Sequence, residues 1–219
     1  MHTMAHAQER NDPWLHLQNH LAKNKPFIAS EITSRYELPG DDSPTRGTYR
    51  TIIQEPSNET EPTRTLSPIT KEGELGLKMA AMNFGIAEKF ANHPAELFTP
   101  YSSVEVLGQE NRKGTELIVL QLRSRFSKKG NFPLTAKIWM TGDNHPVQVE
   151  GTIENVPLPG VKNVSFTINY ADDENGNSLP KDVVVSYPIK IFIHSGTVLF
   201  HHTLSAWQTK AVCHGCPSQ

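Results

Sequence analysis

Residues 136–151 read AKIWMTGDNHPVQVEG, and the reading of this stretch decides the rest of the chain. Ala136, Ile138 and Met140 alternate with Lys137, Trp139 and Thr141; after a polar break, Val147, Val149 and Gly151 alternate with Gln148, Glu150 and Thr152. Period two on both sides of a break predicts an antiparallel hairpin with one buried face. The run Asp143, Asn144, His145 has two readings, a catalytic cluster or the tip of that hairpin. Gly142, Asp143 and Asn144 tolerate tight-turn dihedrals, and Pro146 restricts the residue before it to extended geometry. Turn chemistry alone accounts for each of them. The expectation is therefore a solvent-exposed tip without chemistry, whose replacement costs no more than ~1 kcal/mol.

The chain has 219 residues, enough to bury a large core without disulfides or metal. Its hydrophobic share of 37%, with 16 prolines and 14 glycines, fits many loops and argues against a helical bundle. A formal net charge of -2 gives no ground for a general nucleic-acid binder. No apolar run approaches the ~18 residues of a membrane-spanning helix. Near the start, Ala5-His6-Ala7 followed by Gln8 has the form that ends a secretory signal. Residues 1–11 thus read as the remnant of an export signal, or else as a disordered tail. Residues 12–209 read as one domain and 210–219 as a flexible tail.

That tail holds Cys213 and Cys216 with His214 between them. The order of residues does not fit haem attachment, and although the spacing is C-x-x-C, a terminal tail is not the strand-to-helix setting of a thioredoxin-like site. The pair reads as vicinal thiols that oxidise to a small-loop disulfide outside the cytosol. The alternative is metal, which needs a fourth ligand from His194, His201 or His202. No cofactor is expected, and no metal site is assigned.

Along the chain, Asp12 and Pro13 predict the start of an amphipathic helix over 12–24, with Trp14, Leu17 and Leu21 on its apolar face. FIASEITSRYEL and TYRTII predict two strands, and the proline-rich residues 54–70 a loop. Leu75, Met79, Met82, Ile86 and Phe90 form an apolar stripe that predicts one helix over 72–91. From Tyr101 onward the pattern is strand after strand, giving eight to ten in all in an antiparallel meander. Ten histidines are present, yet no H-E-x-x-H, G-x-S-x-G or phosphate-cradling glycine loop appears, and the reading is that the protein is not an enzyme.

Three places then carry a resemblance. Residues 101–125, YSSVEVLGQENRKGTELIVLQLRSR, show a strand with Leu-Gly-x-Glu, a turn with glycine and an apolar strand. The hairpin at Ile138-Trp139-Met140, Gly142-Asp143 and Pro146-Val147 is the second; Leu179-Pro180, Gly196 and the final strand TVLFHHTLSAWQ are the third. Together with the N-terminal helix, they make residues 12–209 resemble the periplasmic outer-membrane lipoprotein carrier and lipoprotein-sorting superfamily. The resemblance implies a mainly β, α+β fold: a curved antiparallel sheet, or unclosed β-barrel, wrapped around one or two helices. It also implies an apolar cavity that shields acyl chains of a lipid or lipoprotein in the periplasm. Related members act as envelope sensors, so the alternative is an interaction module that binds envelope proteins and has no ligand of its own.

The expected lining is Met79, Met82, Ile86 and Phe90 from the helix, with Ile118, Leu120, Leu122, Ile138, Met140, Val147, Val149, Phe166 and Ile168 from the sheet. A filled core without a cavity fits the same residues. The chain departs from the family between Ile53 and Glu74, where the family has further strands. Arg50 is the candidate by position for the strand arginine with which the carrier branch holds its closed state.

Overall fold

The structure, a computed structural model, describes residues 12–39, 43–54, 63–75, 85–95, 101–126, 131–158, 160–191 and 194–209. Helix α1 (Pro13–Ala22) begins as its sequence dictates: the Asp12 carboxylate accepts a hydrogen bond from Trp14 N at 2.9 Å, and Pro13 occupies the first turn. It buries Trp14, Leu17, His20 and Leu21.

Among the described residues ten strands follow in one antiparallel sheet: β1 (Phe27–Leu38), β2 (Thr45–Gln54), β3 (Thr63–Pro68), β4 (Tyr101–Arg112), β5 (Thr115–Phe126), β6 (Phe132–Met140), β7 (Pro146–Leu158), β8 (Val161–Asp172), β9 (Ser178–Ile191) and β10 (His194–Thr209). Their spatial order is β3-β2-β1-β10-β9-β8-β7-β6-β5-β4. Two meanders, β1 to β3 and β4 to β10, are therefore joined by pairing of β1 with β10. β3 and β4 end the sheet without pairing to each other, so the barrel is unclosed.

Two expectations are corrected here. The proline-rich stretch is not all loop: Thr63–Pro68 pairs with Tyr49–Gln54 as β3, where alternating threonines suit an edge strand. The stripe over 72–91 is not one unbroken helix. Residues 73–75 are helical and α2 runs over Ile86–Asn92, but Gly85, at φ 65°, stands in left-handed geometry immediately before α2. A right-handed helix cannot pass through that conformation. Helix α2 packs on β1, β9 and β10.

The turns obey local chemistry. Lys113 and Gly114, both with positive φ, link β4 to β5 in a two-residue turn of the type whose twist matches the strands. Between β6 and β7, Thr141 N donates to His145 O, and Asn144, at φ 68°, donates its N–H to Thr141 O. The hairpin expected at 136–151 is present.

Candidate functional site

The inner face of the sheet is built in register rows. In one, Leu120, Ile138, Val149, Ile168 and Val183 stand directly opposite one another from β5 to β9. All five are fully buried. The row continues through His202 of β10 to Ser34 of β1. In the next row, Leu122, Ala136, Gly151, Phe166, Val185, Phe200 and Tyr36 succeed each other across β5 to β10 and β1. Gly151 has a steric reason: the Phe166 ring lies over it, in the space that a Cβ would fill.

The polar pair in the first row satisfies itself. Ser34 Oγ lies 2.8 Å from His202 Nδ1, and both residues are buried. The His202 ring stacks parallel to Phe200 with centroids 5.8 Å apart. Burial, helped by neighbouring His201, lowers the His202 pKa to about 3, so the imidazole is neutral over the physiological range.

Most of the residues expected to line a cavity fall on this inner face. Ile86 and Phe90 of α2 are buried, as are Leu120, Leu122, Ile138, Met140, Val149, Phe166 and Ile168; Ile118 is half-buried against the same core. Met79 and Met82 lie outside the described residues. Val147 is a correction: it is 38% exposed. The pairing shifts between Trp139 with Gln148 and Met140 with Pro146, so Val147 is the extra residue of a β-bulge and leaves the inner face. Arg50 is also on the wrong side for an inward clasp. It is exposed on the outward face, with Nε 3.1 Å from Glu31 Oε1. The tail cysteines and residues 1–11 lie outside the described residues.

The outward face carries its own small cluster. Trp139, expected there, is nevertheless buried, with Leu117 and Val119. The Arg112 guanidinium covers its ring at 3.8 Å, and Trp139 Nε1 donates to Glu110 Oε2 at 2.9 Å. That bond and the one from Arg112 hold the Glu110 carboxyl below its ordinary range. A groove of about 510 Å³ also opens on this face, lined by polar residues such as Gln121, Lys137, Glu150 and Thr167.

The hairpin tip holds a group that sequence reasoning left aside. His145 Nδ1 lies 2.9 Å from Asp172 Oδ2 and 3.2 Å from Ser178 Oγ. Ser178 Oγ donates to Asp172 Oδ1 at 2.5 Å and lies 2.9 Å from His20 Nε2. Asn24 Nδ2 donates to the Ser178 carbonyl at 2.5 Å. The His20 and His145 rings are 4.1 Å apart. Four elements thus converge: α1, the β6–β7 turn, the end of β8 and the start of β9. The serine, histidine and aspartate are not a nucleophilic triad. Ser178 is wholly buried, its hydroxyl hydrogen goes to Asp172, and one nitrogen of His145 faces both partners.

Burial pushes the Asp172 carboxyl up, but hydrogen bonds from Ser178 and His145 outweigh it, and the net shift is downward. His20 is lowered by burial first, then by His145 and Lys23, with Asp172 opposing. The tip is therefore a turn, as read, while His145 is a tertiary anchor and not a free surface residue. No signal in a single sequence points from residue 20 to 145, 172 and 178.

No known protein-family profile matches the chain, and no curated protein sequence matches it. Among solved structures it is similar in fold to a LolA superfamily protein from Nitrosomonas europaea, with a TM-score of 0.44, 10% identity, and coverage of 90% of this chain and 93% of the other. A domain described as an outer membrane lipoprotein-sorting protein from Vibrio parahaemolyticus gives 0.42, 11%, 91% and 93% in the same order. A DUF1329 family protein from Desulfovibrio piger gives 0.42, 9%, 92% and 95%.

Proposed function

We propose that the protein is an exported, periplasmic lipid- or lipoprotein-binding protein that holds acyl chains between the sheet and its helices, with no catalytic step. One observation carries this reading: the inner row Leu120, Ile138, Val149, Ile168, Val183 is apolar and buried across five successive strands. At the usual strand spacing the row spans ~19 Å. That exceeds the ~15 Å depth of one leaflet of a bilayer's hydrocarbon core. Each methylene sheltered there contributes ~0.8 kcal/mol, so an acyl chain is bound by area alone. Met140, Phe166, Ile86 and Phe90 border the same face, and Met79 and Met82 belong to this proposal by sequence.

The test is native mass spectrometry of the exported protein with solvent extraction of the bound fraction, followed by titration with a fluorescent fatty acid. Lipid released on extraction, and fatty acid that unlabelled lipid displaces, support the reading. A bare chain with no displaceable fatty acid binding overturns it.

A second reading has its own observation. Val106 and Leu107 are 53% and 47% exposed on β4, an end strand of the sheet. An end strand with exposed apolar side chains suits strand addition by an extended segment of an envelope protein. A bare chain that still captures such a segment favours this alternative.

A further inference from the structure

The junction of α1 with the β6–β7 turn, β8 and β9 joins elements far apart in sequence through four side chains that share very few protons. The hydrogen positions follow from the partners. An ionised Asp172 can only accept, so Ser178 Oγ–H donates to Oδ1 and His145 Nδ1–H donates to Oδ2. Ser178 Oγ, having spent its hydrogen, accepts from His20 Nε2–H. Both imidazoles are therefore satisfied as neutral rings with one N–H each. One carboxylate serves two rings whose centroids are 4.1 Å apart.

The surroundings make a positive charge on His20 unfavourable. From α1, Lys23 acts on His20 in the same sense as His145. His16 stands one turn before His20 on that helix. From β8, Asp172 is the carboxylate that faces both rings, while Asp173 is engaged by Asn175 and Asn177 in its own turn. Asp143 of the β6–β7 turn and Lys181 of β9 are exposed.

We propose that this junction is a proton-operated latch: protonation of His20, whose ring lies against that of His145, releases the C-terminal end of α1 from the sheet. A charge on His20 is disfavoured in the latched state by burial first and then by His145 and Lys23, and the released helix places that charge in water instead. The helix is well chosen for such a role. Its Trp14, Leu17 and Leu21 are part of the main core, so its release uncovers the inner apolar face. That the latch thereby controls ligand access rests on the binding reading above; the latch itself does not.

The direction with pH is set by His20. Its latched form holds the pKa below 6.5, and the released form restores it. The latch is complete above 6.5 and weakens as pH falls below it. Asp172, with its pKa lowered, remains ionised through this window and loses its contribution only at more acid pH.

The experiment is hydrogen exchange of the whole chain, without ligand, from pH 7.5 to 5.5, each rate divided by its chemical exchange rate. Exchange of residues 13–24 is expected to rise, by up to about tenfold, the limit for one imidazole kept neutral when latched and free to titrate when released. Segments 147–156 and 183–189 of the sheet are expected to remain better protected than α1 at both pH values, the acid loss that His202 imposes on the whole fold being common to the wild type and the variant below. The double variant His20→Gln, His145→Asn keeps each donor nitrogen in place, since Gln matches Nε2–H and Asn matches Nδ1–H, but cannot be protonated. It is expected to abolish the rise. Asp172→Asn is expected to raise exchange of 13–24 already at pH 7.5.

Should the double variant not fold, NMR titration of the wild-type imidazoles decides: the transition in α1 must coincide with protonation of His20. A pH-independent α1, an α1 no less protected than the sheet at pH 5.5, or an undiminished rise in the amide variant overturns the latch. Loss of lipid binding alone, with the exchange response intact, overturns the binding reading and leaves the latch standing.

Discussion

His202 gives the sharpest quantitative test of the packing. Its ring sits in the inner register row against Phe200, with Ser34 as hydrogen-bond partner, and its pKa in the folded protein is about 3 against 6.5 when unperturbed. Below 6.5 the unfolded chain takes up a proton that the folded chain refuses. The stability associated with the neutral ring is therefore present above 6.5 and lost as pH falls toward 3. At pH 5 the loss is about 2 kcal/mol from this one group, a sizeable share of a stability of roughly 5–15 kcal/mol. The comparison is a double variant, Ser34→Ala with His202→Leu, which replaces both partners by apolar groups and so leaves no orphaned hydroxyl. Urea unfolding is measured for both proteins at pH 8 and pH 5. The wild type is expected to lose about 2 kcal/mol more than the variant on acidification, roughly 1 M in midpoint. Losses from His20 and the surface carboxylates are common to both and cancel. Equal losses in the two proteins would refute the claim that a neutral buried imidazole at this position makes the fold acid-sensitive.

Other expectations concern the sheet. Gly151→Ala drives a Cβ into the Phe166 ring and is expected to cost about 1–3 kcal/mol. In a Phe166→Leu background the cost should shrink, a coupling that a double-mutant cycle of thermal unfolding reads directly. Arg112→Ala removes the cation from the face of Trp139 and should cost about 1 kcal/mol, with a red shift in tryptophan emission as water reaches the ring. Ile138→Asp, a charge at a wholly buried position, is expected to cost more than roughly 4 kcal/mol. Asp143→Ser, at the exposed hairpin tip, should stay within about 0.5 kcal/mol by the same unfolding assay.

The features legible from residue order alone are local ones. The cap at Asp12, the proline after it, and the apolar spacing that follows specify α1, since each rule operates within one turn of helix. Alternation around a Gly-Asp-Asn break specifies the β6–β7 hairpin, and Lys113-Gly114 the β4–β5 turn, because period and turn dihedrals are properties of neighbouring residues. The inward placement of Leu120, Ile138, Val149 and Ile168 was legible for the same reason. Tertiary structure decided the remainder. The bulge that carries Val147 off the inner face depends on how β6 meets β7, not on either strand alone. The stripe from Leu75 to Phe90 looked continuous because periodicity is blind to backbone handedness, and Gly85 interrupts it. The joining of two meanders through β1 and β10, which brings Ser34 to His202, spans 168 residues of sequence. His20 and Ser178 are 158 apart. No local rule reaches such distances: the partners of a buried polar group are set by the register of the whole sheet, and only the folded chain brings them together.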